Sequence, residues 1–264
     1  MKKIQAILEG IYNNDSLRKT IVPLFIGKTG LGKTVVIEQF AKDKGVKLVQ
    51  LITSQRNPFE ISGLGMPDKD TKRMSFWDFD TLLDMKDGDI LFFDELLNGN
   101  PVVLNACLTL LEGRQMISGK KLPNIMIVAA ANPEGMMPLT PQIKERFVWY
   151  NTTFDSQMWT DYMFKKYMLI KPIANKLVTL IQNEDFTSNN FNTPRSIDKA
   201  VNMIINDVST PYETVVKPIL NTLIENKANK TVKLEGDKEL VANEQILWLD
   251  LIRIKLKKDG IINK

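Results

Sequence analysis

The stretch Gly27-Lys28-Thr29-Gly30-Leu31-Gly32-Lys33-Thr34 lies between the apolar run "IVPLFI" and a second apolar run, "VVI". No other feature limits the fold so sharply, because a buried strand must end in glycine-rich backbone and restart at once as a helix. A flexible linker would not be hemmed in by core-type residues on both sides. Glycines allow positive φ and remove Cβ atoms, so successive N–H groups can wrap around a polyphosphate. A helix opening near Lys33 adds its positive dipole end and its unpaired N–H groups at the same point. The order G-x-x-x-x-G-K-[ST], after a strand and before a helix, is a phosphate-binding loop. Average composition yields that pattern by chance at roughly 3 × 10⁻⁵ per position, so an ordinary glycine-rich turn explains it poorly. In this reading Lys33 reaches the β- and γ-phosphates of ATP, and the Thr34 hydroxyl ligates Mg²⁺.

The remaining pattern supplies a sheet to carry the loop. Strand-sized apolar runs recur at 21–26, 46–52, 89–94, 124–131 and 146–150, most of them apolar on both faces. That is the pattern of a parallel sheet covered by helices. Helical patterns fall at 2–12, with Ile4, Ile7, Leu8 and Ile11 on one stripe, and in "KTVVIEQFAKDKG", which closes on a cap-like Gly45. Another helix, "NPVVLNACLTLLEG", opens on Asn-Pro and stops at Gly113. After Tyr150 the strand-like runs end. "ANKLVTLIQ", "TPRSIDKAVNMIINDV" and "YETVVKPILNTLIEN" read as helices, with Thr193 as N-cap and Pro194 at the first helical position. The tail from Lys227 is charged, and "ILWLDLIRIKLKK" reads as a last strand or helix.

Composition narrows the chemistry. Hydrophobic residues make up 44% of the 264 and charged residues 25%, ordinary values for a globular chain. The absence of His argues against a zinc enzyme or a Ser-His triad. The single cysteine, Cys107, lies in the apolar pattern "VVLNACLTLL" and reads as buried packing, with no intramolecular disulfide to form. A net charge of +4 neither demands nor excludes nucleic acid. No secretory leader and no long apolar stretch is evident, so a soluble, cytoplasmic protein with no membrane contact is expected.

A nucleotide loop needs acidic partners. "ILFFDE" delivers Asp94 and Glu95 at the end of a buried strand, Asp94 to help hold Mg²⁺ and Glu95 to polarise an attacking water. The run "LLNGNPVVLNACLTLLEGRQMISGKKLPNIMIVAAANPEG" follows them. It has an Asn-bearing turn, a Pro-started helix, "LLE" with a short hairpin, and a strand closing in Ala-x-Asn-Pro. Across roughly residues 20 to 225 the chain resembles the MoxR-like group of AAA+ ATPases. The resemblance implies an α/β P-loop fold of five parallel strands flanked by helices, with a small helical lid domain after it. It makes Asn132 the sensor 1 residue. "LTPQIKERF" makes Arg146 the candidate arginine finger, and "NTPRSIDKA" makes Arg195 the candidate sensor 2 contact to the γ-phosphate. The implied domains are 1–155, 156–226 for the lid and 227–264 as an extension.

The segment 54–79, "SQRNPFEISGLGMPDKDTKRMSFWDF", resembles the insert such ATPases carry in their second helix. Gly63, Gly65, Met66, Phe76 and Trp77 suggest a hairpin with an exposed apolar tip that meets a partner. A packed, buried role for Phe76 and Trp77 is an equal expectation. The family also implies a homo-hexameric ring acting on a protein client, often one with a von Willebrand A-like metal-binding module. Two other readings share the loop. A nucleic-acid motor or helicase loader should show a basic stripe with stacking aromatics, whereas here the lysines are scattered and aromatics are 8%. A nucleotide-gated scaffold with little turnover would not need Glu95, Asn132 and Arg146 together.

Overall fold

The computed structural model describes residues 2–78, 80–116, 118–167, 171–182 and 193–206. These divide into two compact units, one ending at Phe154 and one beginning at Asp155. In the first unit α1 (Lys2–Tyr12) and the short α2 (Asp15–Thr20) lead into β1 (Pro23–Ile26), α3 (Lys33–Lys44) and β2 (Leu48–Ile52). Next come one turn of helix, α4 (Phe59–Ser62), the hairpin strands β3 (Leu64–Asp68) and β4 (Arg73–Trp77), and a second single turn, α5 (Asp80–Leu83). The unit continues through β5 (Ile90–Asp94), α6 (Pro101–Gly113), β6 (Met126–Ala131), α7 (Pro141–Lys144) and β7 (Val148–Asn151).

All five predicted runs are strands of one parallel sheet, in the order β2-β5-β6-β1-β7. Its centre is dry. Ile90, Leu91, Phe92 and Phe93 of β5 and every residue of β6 are buried, as a sheet covered on both faces requires. Because the strands run the same way, the backbone leaving β1, β5 and β6 emerges at one edge, where open α/β sheets place their ligands. Helix α6 packs Val103, Leu104, Cys107, Leu108, Leu110 and Leu111 into the same core.

Local chemistry sets the helix ends. The Asn100 side chain accepts from the Val102 N–H, and Pro101 opens α6. Gly113 is its last helical residue rather than its stop: the left-handed position falls on Arg114, at φ 47°. Gly45 closes α3 at φ 67°, as expected. "DTLLDMK" makes only one turn of helix. The Asp89 carboxylate accepts from the N–H groups of Lys86 and Lys47, at 2.7 and 3.1 Å, and diverts the chain into β5.

The insert is a hairpin, paired from Leu64↔Trp77 to Asp68↔Arg73. Its tip differs from expectation. Asp68 accepts from the N–H groups of Asp70 and Thr71 there, so the turn is polar. The apolar side chains lie on the stem, where Leu64, Met74, Phe76 and Trp77 are exposed, Trp77 at 64%. A buried role for Phe76 and Trp77 is not what this unit shows.

The second unit holds α8 (Ser156–Tyr167), α9 (Lys171–Gln182) and α10 (Pro194–Ile205). The Thr193 hydroxyl caps α10 by accepting from the Ser196 N–H. Lys166 of α8 donates to both carboxylate oxygens of Asp198 on α10, at 2.9 and 2.8 Å, and to the Tyr162 hydroxyl at 2.7 Å. Helix α8 escaped the sequence reading because "SQMWTDYMFKKY" mixes polar and apolar residues. The runs "YETVVKPILNTLIEN" and "ILWLDLIRIKLKK", and the extension at 227–264, lie outside the described residues. Among the described residues no helix is long and apolar enough to cross a membrane.

Burial pushes the Cys107 thiol up to about 12. We expect native protein to resist a thiol reagent at neutral pH and to react stoichiometrically once unfolded. Fast labelling of the folded protein would contradict this packing.

Candidate nucleotide site

The loop after β1 is built from backbone. A Cβ added to Gly27 would lie 2.0 Å from the Thr152 Oγ1, so no side chain fits there. Thr152 itself is fixed, its hydroxyl and its N–H both donating to the Ile26 carbonyl. Gly30 and Gly32 take φ of 82° and 86°, the left-handed region glycine enters freely. Helix α3 begins at Lys33 with no side-chain cap, which leaves its N-terminal dipole facing the loop. Lys28 and Thr29 are exposed, and Leu31 packs toward Gly27. The Lys33 side chain is buried, its Nζ donating to the Gly27 carbonyl at 2.6 Å and the Lys28 carbonyl at 3.2 Å.

The acidic strand end and the β6 exit converge on this loop. The Thr34 hydroxyl donates to the Asp94 carboxylate at 2.9 Å. Lys33 Nζ donates to the Asn132 Oδ1 at 3.0 Å, joining positions 99 residues apart. Glu95 stands next to Asp94 at φ 55°, a left-handed conformation uncommon for a side chain of this size. A hydroxyl and a carboxylate at hydrogen-bond distance, beside a glycine cradle with a cation, form a donor set suited to a hard divalent ion and a polyphosphate. Thr34 and Asp94 fit Mg²⁺ in this sense.

Several supporting residues were not picked out from the sequence. Gln50 donates to the Asp94 carboxylate at 3.1 Å, and the Thr53 hydroxyl lies within 3.1 and 2.9 Å of the Asp94 and Glu95 carbonyls. The Ser54 hydroxyl donates to the Glu95 carboxylate. Asn98 holds the backbone of Asn132. The available signal was polarity out of place, since Gln50 interrupts an apolar strand and "TS" follows it directly.

Arg146 stands elsewhere in the first unit. Arg146 precedes β7, whose Val148 pairs with Pro23 while Asn151 pairs with Ile26. It therefore sits at the end of the sheet opposite the phosphate loop, roughly 10 Å of strand away. Its Nε pairs with the Glu112 carboxylate at 2.5 Å. Arg195 is exposed in the first turn of α10, in the second unit. Among the described residues no cluster of three or more carboxylate or thiol side chains is placed to hold a metal alone.

Residues 19–147 match the family model described as the MoxR domain in the MoxR-vWA-beta-propeller ternary systems. No curated protein matches the sequence. Among solved structures, the chain is similar to a Cytophaga hutchinsonii protein assigned as an ATPase. Identity is 21%, the TM-score 0.43, and the match covers 61% of this chain and 49%, about half, of that one. It is similar as well to the Thermotoga maritima RuvB Holliday junction branch migration motor, at 17% identity and a TM-score of 0.53 over 84% of this chain and 68% of that one. A point mutant of the same RuvB aligns at 14% identity and a TM-score of 0.55, over 84% and 70%. At such identities the RuvB likeness speaks for the fold alone, an α/β P-loop fold of AAA+ type. The phosphate loop, Asp94, Glu95, Asn132 and Arg146 all fall within the matched span, so it is over residues 19–147 that this chain is similar to the MoxR domain.

Proposed function

We propose that this chain binds ATP with Mg²⁺ at the loop from Gly27 to Thr34, hydrolyses it, and works as a ring of copies on a partner protein. The observation that carries the reading is the Thr34–Asp94 contact of 2.9 Å beside a glycine-rich cradle, with the Asn132 side chain accepting from Lys33. The loop N–H groups hold the phosphate oxygens, and Lys33 exchanges its carbonyl acceptors for phosphate. Thr34 and Asp94 would hold Mg²⁺, which would neutralise charge on the β- and γ-phosphates. Glu95 orients a water and takes its proton as the water oxygen attacks the γ-phosphorus. Asn132 steadies that water, and the bond to the β,γ-bridging oxygen breaks to give ADP and phosphate.

Arg146 acts on a neighbour's nucleotide in this reading. Its place at the far end of its own sheet supports that role, as does a Glu112 partner that is 54% exposed and easily exchanged. Arg195 would sense the γ-phosphate from the lid. Rings of six are the arrangement the family resemblance implies. The matched model's description favours a protein client, one with a von Willebrand A module or a β-propeller.

Lys33→Ala should weaken nucleotide binding by about a hundredfold, the scale of a lost charge-assisted contact; calorimetry finding unchanged affinity would refute the loop assignment. Glu95→Gln should keep ATP bound while turnover falls at least about a hundredfold. Pull-down with that variant in ATP should retain the client. Lys33→Ala and Arg146→Ala subunits, each inactive, should recover turnover when mixed, because one interface then joins an intact loop to an intact arginine. Absence of recovery would count against a shared site.

A further inference from the structure

Asn98 lies beyond the Asp94–Glu95 pair, and each end of its side chain is spoken for. Its Oδ1 accepts from the Asn132 N–H at 2.9 Å. Its Nδ2 donates to the Asn132 carbonyl at 3.0 Å and to the Glu134 carbonyl at 2.8 Å. Only one orientation of the amide satisfies a donor and two carbonyls in this way. The Asn98 backbone N–H meanwhile donates to the Glu95 carbonyl at 2.9 Å, closing the turn that holds Glu95 in its left-handed conformation.

The sheet explains the need. The β5–β6 register runs out at Phe93↔Ala129, after which the Leu96 N–H reaches the Ala130 carbonyl at 2.9 Å. Two residues on, on the same edge of the strand, Asn132 has no backbone partner from β5, and Pro133 brings no N–H of its own. The Asn98 amide takes the place of the next peptide group and extends the ladder by one step. Asn132 is thereby pinned at both its N–H and its C=O, and its side chain is left to meet Lys33.

We infer that Asn98 is a positioning residue for the hydrolytic step, fixing Asn132 and the Glu95 turn relative to each other. The inference rests on the ATPase reading above. Asn98 touches no nucleotide in it; displacing Asn132 or Glu95 by a fraction of an ångström to 1 Å slows the chemistry without loosening the phosphate grip.

The test separates turnover from binding. Asn98→Asp keeps the acceptor but sets a carboxylate against two carbonyl oxygens. At about pH 8 its kcat should fall at least tenfold or so, with ATP affinity within about threefold of the parent. The protonated carboxyl restores a donor beside an acceptor, so the variant-to-parent ratio should rise as pH drops toward about 5.5. Asn98→Leu, which offers neither group, should stay low throughout that range. In an Asn132→Ala background Asn98→Asp should cost less than it does in the parent, since the Asn132 side chain that it positions is already removed. Unchanged kcat, equal losses of kcat and affinity, a flat pH ratio or additive losses in the double variant would each overturn the inference. Should Asn98→Asp not fold, Asn98→Ser, which retains a short donor and acceptor, carries the same kcat-against-affinity comparison. A parent protein without ATP turnover would overturn the functional reading itself, and that outcome is distinct from an active parent indifferent to Asn98.

Discussion

Five strands run in one direction, and the backbone leaving β1, β5 and β6 has to emerge along a single edge. The glycine loop, the Asp94–Glu95 pair and Asn132 each come directly after one of those strands. Parallel pairing therefore gathers residues that the chain separates widely, and the 2.9 Å contact from Thr34 to Asp94 is the point where two of those exits meet. Antiparallel insertion of any one strand would send its polar exit to the opposite end. Burial of β5 and β6 on both faces keeps that arrangement rigid, because a slip in register would set Phe92, Phe93 and their neighbours against the wrong packing partners.

A rigid sheet still leaves polar groups at its edge without ladder partners, and here side chains take them. Thr152 caps the end of β1, Thr53 bridges the carbonyls of Asp94 and Glu95, Ser54 engages the Glu95 carboxylate, and Asn98 holds Asn132. Each of these replaces a missing backbone bond or orients a charge, the usual fate of buried polar groups. Ser54 and Thr53 also begin the segment that carries the exposed hairpin, so the insert and the acidic turn share an anchor.

The strands were legible because their apolar runs are long and sharply bounded, and the loop because its glycines have few other uses. Asp94 and Glu95 were legible as charges closing an apolar strand. Single turns such as α4 and α5 were not, since four residues carry too little periodicity to be read. The sequence left Phe76 and Trp77 open between an exposed tip and a buried role, and the structure exposes them on the stem, because the pattern does not say where the chain reverses. Asp68 decides that by capturing the N–H groups of Asp70 and Thr71.

By itself the sequence determined the phosphate cradle, the five core strands and the acidic pair, because each depends on residues adjacent in the chain. Only the tertiary structure decided that Arg146 pairs with Glu112 at the far end of its own sheet, that Ser54 meets Glu95, and that Asn98 pins Asn132. Those partners lie some thirty to forty residues apart, at 34, 41 and 34 positions for the three contacts from Arg146, Ser54 and Asn98. Ser54 meets Glu95 and Asn98 meets Asn132 because parallel pairing sets β2 beside β5 and β5 beside β6, so the exits of separate strands fall side by side. No local pattern encodes that pairing, which is settled by which apolar faces can be buried together.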